Sequence, residues 1–405
     1  MTPAAANANA PLLFLIAGEP SGDMLGARLM AALKAATAGR ARFAGVGGER
    51  MIAEGLDSQF PMADLAIMGL VEVVPRLPLL IRRIRQTVRA IRTTRPDAVI
   101  TIDAPGFCFR VARRLAGAGI PLIHYVAPTV WAWRPGRAKR IARFLDHLMV
   151  LLPFEPPYFE AVGLACSFVG HPAVEEGRAG DGPAFRADHG IAAEAPLIAV
   201  LPGSRHSEVT RLLAPFGAAV AILADRFPGL RIVTLTVDTV AEAVAAATAQ
   251  WRVPVTLLRD AGERADALAA ADAALAASGT VTLELAAART PMVVAYRMAP
   301  LTMAIARALV RVPYANLINL TLGREAIPEL IQEDCRPRPL AETVAELVVD
   351  HEARAAQIAA IDKAMATLGQ GVEQPSARAA KVVLEVIAGH GAPPEPQGDI
   401  PTDER

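Results

Sequence analysis

Short apolar runs that end in glycine- or proline-bearing loops alternate with helical stretches along almost the whole chain. "PLLFLIAGEPSGD" reads as a strand and a Gly-rich loop, and "MLGARLMAALKAA" as the helix that follows. "PDAVITIDAPGF", "GIPLIHYVAP" and "DHLMVLLPFE" repeat the strand-then-loop pattern. Such alternation dictates βα units around a parallel sheet. The rhythm stops in the Gly- and charge-rich residues 177–190 and restarts with "PLIAVLPGSR", "RIVTLTV", "VTLLR", "AALAASGT" and "PMVVAY". The chain is 405 residues long, and one core rarely grows beyond about 250–300 residues. The expectation is therefore an α/β protein of two tandem Rossmann-like domains, residues 11–178 and 186–345. Residues 346–390 are helices with no strand between them, and the Pro-rich, acidic residues 391–405 read as a disordered tail.

Charge and cysteine content exclude several classes. Lys+Arg and Asp+Glu are 41 each, so no global charge points to nucleic acid. Cys108, Cys166 and Cys335 are odd in number and far apart, which suits neither a disulfide framework nor a zinc site and fits a reducing cytosol. No segment reaches the roughly 18 uninterrupted apolar residues of a membrane span, and no basic region precedes the first apolar run as a signal peptide requires.

In open parallel sheets ligands bind beyond the carboxyl ends of the strands, so the strand-end loops are where chemistry belongs. In the second half, "LPGSRHSE" places Gly203 and Ser204 where backbone N–H groups approach an anion, and Arg205 where a guanidinium forks onto phosphate oxygens. An ordinary βα turn with a surface Arg has the same composition. "ASGTVTLE" sets Ser278, Gly279 and Thr280 at a helix start, where a diphosphate meets unpaired N–H groups and the helix dipole. Glu284, one turn on, can accept two hydrogen bonds from ribose hydroxyls. An N-cap and a solvated carboxylate are the plain alternatives; the pairing with Arg205 favours a nucleotide. There is no P-loop, no GxGxxG after the first strand and no D-x-D.

In the first half, "AGEPSGD" brings Glu19, Ser21 and Asp23 to a strand end, with Asp23 read as a helix cap. Asp103 in "TIDAPGF" is a carboxylate at the tip of an apolar strand, either a sheltered general base or a turn cap. His124 is the competing base. "HYVAPTVWAWRPGR" holds Trp131, Trp133 and Arg134 in a chain only 5% aromatic. Alternating residues on an extended loop would send one ring to the core and one to the cleft. Between Glu72 and Asp97 there are seven Arg and no acid. Ile81, Ile84, Val88 and Ile91 share one helical face, and Arg82, Arg85, Arg89 and Arg92 a neighbouring one. With the apolar stretch before it, including Met68, Leu70, Leu79 and Leu80, this is a candidate membrane-surface patch; a core helix with a solvated rim is the alternative.

Taken together, "AGEPSGD", "GVGGERM", "IMGLVEV", "IDAPGF", "HYVAPTVWAWR", "LPFE", "FVGHP", "LPGSR", "ASGTVTLE", "PMVVAYRM", "NLTLGRE" and "PELIQE" occur in the order seen in the lipid-A-disaccharide synthase family, which the chain resembles over residues 12–386. The resemblance implies a GT-B fold whose last helices cross back to the first domain. It implies transfer of 2,3-diacylglucosamine from its UDP conjugate to the 6-hydroxyl of 2,3-diacylglucosamine 1-phosphate, with no cofactor or metal. It also implies a cytoplasmic enzyme peripheral to the inner membrane, and a homodimer through the C-terminal helices is a reasonable expectation. Carried over, Asp103 matches the important acidic residue, Arg205 and Glu284 the UDP-binding positions, and Asn319, Glu329 and Gln332 a polar cluster near the nucleotide. Gly106 and Cys108 stand where the family has Asp and Asn, Ile318 where Pro is usual, and Ala127 where Ser is usual. Two other readings compete: a UDP-sugar 2-epimerase of the same fold, and a non-catalytic nucleotide-sugar-binding membrane adaptor.

Overall fold

The computed structural model describes residues 10–65, 70–133, 136–176, 180–259, 262–299, 303, 307, 312–371 and 373–390. Two wholly parallel sheets organise them. The first lobe carries β1 (Leu12–Ala17), β2 (Arg42–Val46), β3 (Asp57–Ser58), β4 (Ala98–Ile102), β5 (Leu122–Tyr125), β6 (His147–Val150) and β7 (Ala165–Phe168), in the order β3-β2-β1-β4-β5-β6-β7. The second carries β8 (Leu197–Leu201), β9 (Arg231–Leu235), β10 (Val255–Leu258), β11 (Ala273–Ala277), β12 (Met292–Tyr296) and β13 (Glu329–Ile331), in the order β10-β9-β8-β11-β12-β13. Central strands such as β4, β8 and β11 are buried at every position, because helices cover both faces of each sheet. Where β2 passes β1, a Cβ on Gly45 would lie 1.8 Å from the Leu15 carbonyl oxygen, so no side chain fits there.

Each sheet reverses its winding once, between β1 and β4 and between β8 and β11. The loops leaving such neighbours diverge and open a crevice at their carboxyl ends. Those loops begin at Gly18, Asp103, Pro202 and Ser278.

The chain passes between lobes twice, and the passages touch. The His171 N–H donates to the Leu368 carbonyl (3.2 Å), and the Ser376 N–H to the Glu175 carboxylate. Of the helices beyond residue 346, only Pro375–His390 packs on the first lobe, against helix Pro20–Ala36. His351–Thr367 packs against Leu317–Leu322 and Val281–Ala287 and so stays with the second. Its Ile361, Ala364 and Met365 are buried in the second-lobe core, which holds it there. Gly182–Asp188 likewise packs on Arg264–Ala270, so second-lobe structure starts ahead of residue 186.

Among the described residues one helix, His206–Arg226, has the length and hydropathy of a membrane span. Its apolar face packs on helix Pro337–Val349 and on β11 and β12, the position of a core helix.

Candidate functional site: facing loops at two switch points

Asp103 directly follows β4. It and Ala104 both adopt left-handed backbone, φ 49° and 41°, a conformation that costs non-glycine residues on the order of 1–3 kcal/mol. The turn lets helix Pro105–Leu115 start on a proline, which has no N–H to leave unpaired. The Asp103 N–H donates to the Tyr125 carbonyl (2.9 Å), and the half-buried carboxylate accepts from the Ser21 hydroxyl (3.3 Å). Glu19 stands beside it. Burial and the Asp103 charge raise the Glu19 pKa, while Arg205 of the other lobe draws it back. Glu19 is thus within electrostatic reach of both switch points. Asp23 caps a neighbouring helix rather than its own, accepting from the N–H groups of Gly48, Arg50 and Met51.

His124 does not reach the cleft. It is fully buried on β5, bonded through Nδ1 to the Thr101 hydroxyl (2.7 Å), with its ring 4.6 Å from that of Phe109. Burial, followed by the charge of Arg137, lowers its pKa to about 3, so it is a neutral core residue and no base for a sugar hydroxyl.

Across the gap, the loops after β8, β9 and β11 enclose a cavity of about 480 Å³. Gly203, Arg205, Ser278, Gly279, Thr280 and Glu284 all line it. Two of its charged residues escaped the sequence reading. Glu208, almost wholly buried, accepts from the N–H groups of Ser204 and Arg205 (3.3 Å each) and from Arg205 Nη1 (2.8 Å). The loop N–H groups expected to meet an anion are therefore already held by an internal carboxylate. Gly203, at φ 108°, is where that carboxylate fits; a Cβ there would sit 2.6 Å from Glu208 Oε2. Glu208 supplies the N3 half of a capping box, but with arginine at the N-cap, whose side chain cannot accept, the sequence lacks the usual signature. Arg264 donates through Nε to Glu284 (2.5 Å); it comes from another loop, and no local pattern announces it. Ser278 donates its hydroxyl to the Ala315 carbonyl (3.0 Å), and the space over Gly279 is open.

Asn319, Glu329 and Gln332 do not line this cavity. Asn319 accepts from the N–H groups of Ala326 and Ile327, and donates to the Ile327 carbonyl and to Glu329. Glu329 also holds the N–H groups of Ala315 and Asn316, and Gln332 is bonded to both backbone groups of Met298. Through Ala315, whose carbonyl holds Ser278, the cluster pins the rim of the cavity.

A family model described as lipid-A-disaccharide synthetase matches residues 13–383. A protein of Rhodospirillum centenum named lipid-A-disaccharide synthase is 60% identical over 380 residues, 93% of this chain and 94% of its own. Its counterpart in Paramagnetospirillum magneticum is 51% identical over 381 residues, 93% and 97% of the two chains. The chain belongs to the lipid-A-disaccharide synthase family.

Solved structures agree on the fold. The kitacinnamycin glycotransferase superposes with a TM-score of 0.61 at 16% identity, covering 93% of this chain and 99% of that one. A Neisseria meningitidis UDP-GlcNAc 2-epimerase gives 0.58 at 11%, over 93% and 99%. The epimerase shares the GT-B architecture alone, whereas the synthases share the sequence; this removes both the epimerase and the adaptor readings.

The structure also locates the remaining first-lobe residues that the sequence singled out. Met68 and Arg134 lie outside the described residues, as do the side chains of Leu70 and Trp133. The tryptophan segment is a short helix, Val130–Trp133, rather than an extended loop. Trp131 turns toward the lobe junction, donating to Glu155 (3.0 Å) and meeting the Phe154 ring edge-on at 5.1 Å. Burial raises the Glu155 pKa to about 7.

Helix Leu70–Thr94 corrects the expected faces. Leu80, Ile84, Val88 and Ile91 are buried and Leu79 half-buried, while Ile81 is exposed beside Leu77. Leu80 therefore belongs to the core, not to a membrane patch: it sits one turn before Ile84 on the inward stripe. Arg82, Arg85 and Arg89 remain exposed. Arg83 turns inward to Asp64 (2.6 Å) and over the Phe60 ring.

Proposed function

We propose that this synthase-family chain transfers 2,3-diacylglucosamine from its UDP conjugate to the 6-hydroxyl of 2,3-diacylglucosamine 1-phosphate, with inversion. The products are the β-1,6-linked disaccharide 1-phosphate and UDP. The observation that carries the assignment of roles is that the second lobe's switch point gathers Arg205, Gly279 and Glu284 around one cavity, while the first lobe's holds Asp103 bonded to Ser21. With Glu19 within electrostatic reach of Arg205, the carboxylate rim and the nucleotide cavity face one another across the gap.

Asp103 takes the proton of the attacking hydroxyl, with Ser21 steadying its second oxygen. The alkoxide attacks the anomeric carbon as the bond to the diphosphate breaks. Arg205 and the open backbone at Gly279 receive the departing charge. Glu284 holds the ribose. Asn319, Glu329 and Gln332 act at a distance, by fixing the loops that shape the cavity.

The exposed Leu77 and Ile81, with Arg82, Arg85 and Arg89, suit an anionic membrane face from which both acylated substrates arrive. The chain then works on the cytoplasmic leaflet as a peripheral protein, without metal. Incubation of the purified protein with UDP-2,3-diacylglucosamine and the 1-phosphate acceptor in EDTA tests this. Disaccharide and UDP should form at equal rates; a requirement for added Mg²⁺ would overturn the metal-free step.

A further inference from the structure

The nucleotide cavity contains two arginines, and only Arg205 has been given work. We propose that Arg264 is the second cation for the nucleoside diphosphate, exchanging Glu284 for a phosphate when the nucleotide enters. The inference rests on the reading of this cavity as the UDP site.

The charged residues lining the cavity are Arg205, Glu208, Arg264 and Glu284. Each arginine is paired with a glutamate, Arg205 with Glu208 at 2.8 Å and Arg264 with Glu284 at 2.5 Å. Without nucleotide the lining is therefore neutral. A pyrophosphate brings negative charge on each phosphate, and Arg205 alone cannot match both. The two cations also differ in shelter. The Arg205 side chain is 74% exposed and that of Arg264 28%. Water screens the first far more, so phosphate binding at the second is worth more per contact. Glu284 engages Arg264 through Nε, and a guanidinium has five N–H donors, so the head can turn toward a phosphate without leaving the cavity. Glu284 is then free to accept the ribose hydroxyls. The pairing keeps the carboxylate compensated while the site is empty, and the exchange couples diphosphate binding to ribose binding.

Displacement of a fluorescent UDP by UDP, UMP and uridine separates the contributions. Arg264→Met should weaken UDP by about 10- to 100-fold, as expected for a charged hydrogen bond, and leave uridine within about twofold. Arg264→Lys, which keeps the charge and guards against misfolding of the methionine variant, should recover part of the loss for UDP. Equal losses for UDP and uridine would make Arg264 a prop for Glu284 and overturn the proposal. So would an unchanged UDP affinity in Arg264→Met while Arg205→Met and Glu284→Gln both weaken UDP. If all three substitutions leave UDP untouched, the cavity itself is not the nucleotide site.

Discussion

The two lobes meet the gap with opposite electrostatic designs. In the second lobe every charged residue lining the cavity has its partner inside it: Arg205 with Glu208, Arg264 with Glu284. In the first, two carboxylates stand together, Glu19 and Asp103, and Glu19 feels the like charge of its neighbour. The cation that offsets this, Arg205, belongs to the other lobe. A paired lining stays compensated while the site is empty and suits a binding site. Two carboxylates side by side make Glu19 hold a proton more readily than an isolated carboxylate, and such perturbed groups cluster at functional sites. The difference fits the proposed roles, with binding on one side of the gap and proton transfer on the other.

The largest expected effect breaks that division if it is wrong. Asp103→Asn should lower kcat by about 10²–10⁴-fold, the range for loss of a general base. UDP affinity, measured by calorimetry, should stay within about twofold, because Asp103 lies across the gap from the cavity. A matching loss of UDP affinity would mean that the lobes do not divide the work.

Smaller, and on the first lobe alone, is the approach to lipid. Replacing Arg82, Arg85 and Arg89 together by Ala removes three exposed charges from one helix. At about 1 kcal/mol per charge near an anionic surface, partitioning onto vesicles containing phosphatidylglycerol should fall by about 10²-fold. UDP binding should not change. Binding that survives the triple change would move the membrane face elsewhere on the molecule.

How readily each lobe could be read from the sequence follows the same contrast. Both sheets were legible, because a parallel strand covered on both faces must be apolar throughout, and runs such as Leu197–Leu201 cannot be placed otherwise. Arg205, Ser278, Gly279, Thr280 and Glu284 were legible too: each follows a strand at a switch point, and the structure gathers them around one cavity. Arg264 was not, since its partner is 20 residues away and the contact exists only once the segments after β10 and β11 meet at the carboxyl edge of the sheet. His124 misled for the converse reason. A histidine near a strand end looks available, and only its complete burial, with the tilted Phe109 ring against it, shows that it is sealed. On helix Leu70–Thr94 the inward stripe ran through Leu80 instead of Ile81; a one-residue shift turns a helix face by about 100°, and apolar residues on both stripes leave periodicity unable to choose. The path of residues 351–367 was equally hidden, because an Ala-rich helix packs as well on either lobe.

The smallest effect concerns Glu19, which stands on the first lobe but answers to a charge on the second. Its pKa is raised, by burial first and by Asp103 second. As pH falls, it therefore takes up a proton before an ordinary carboxylate does, and that proton removes the negative charge facing Arg205. Glu19→Gln imitates the protonated state at every pH. If Glu19 helps to hold the lobes in register, the variant should lose about two- to fivefold in kcat/KM at neutral pH, about the weight of one exposed ion pair. The loss should shrink as pH falls, because the native enzyme then approaches the same protonation state. A pH-independent deficit would make Glu19 a steric contact with the acceptor. A deficit that persists when Arg205 is replaced by Met would show that the two residues act independently, and that the carboxylate rim owes nothing to the lobe across the gap.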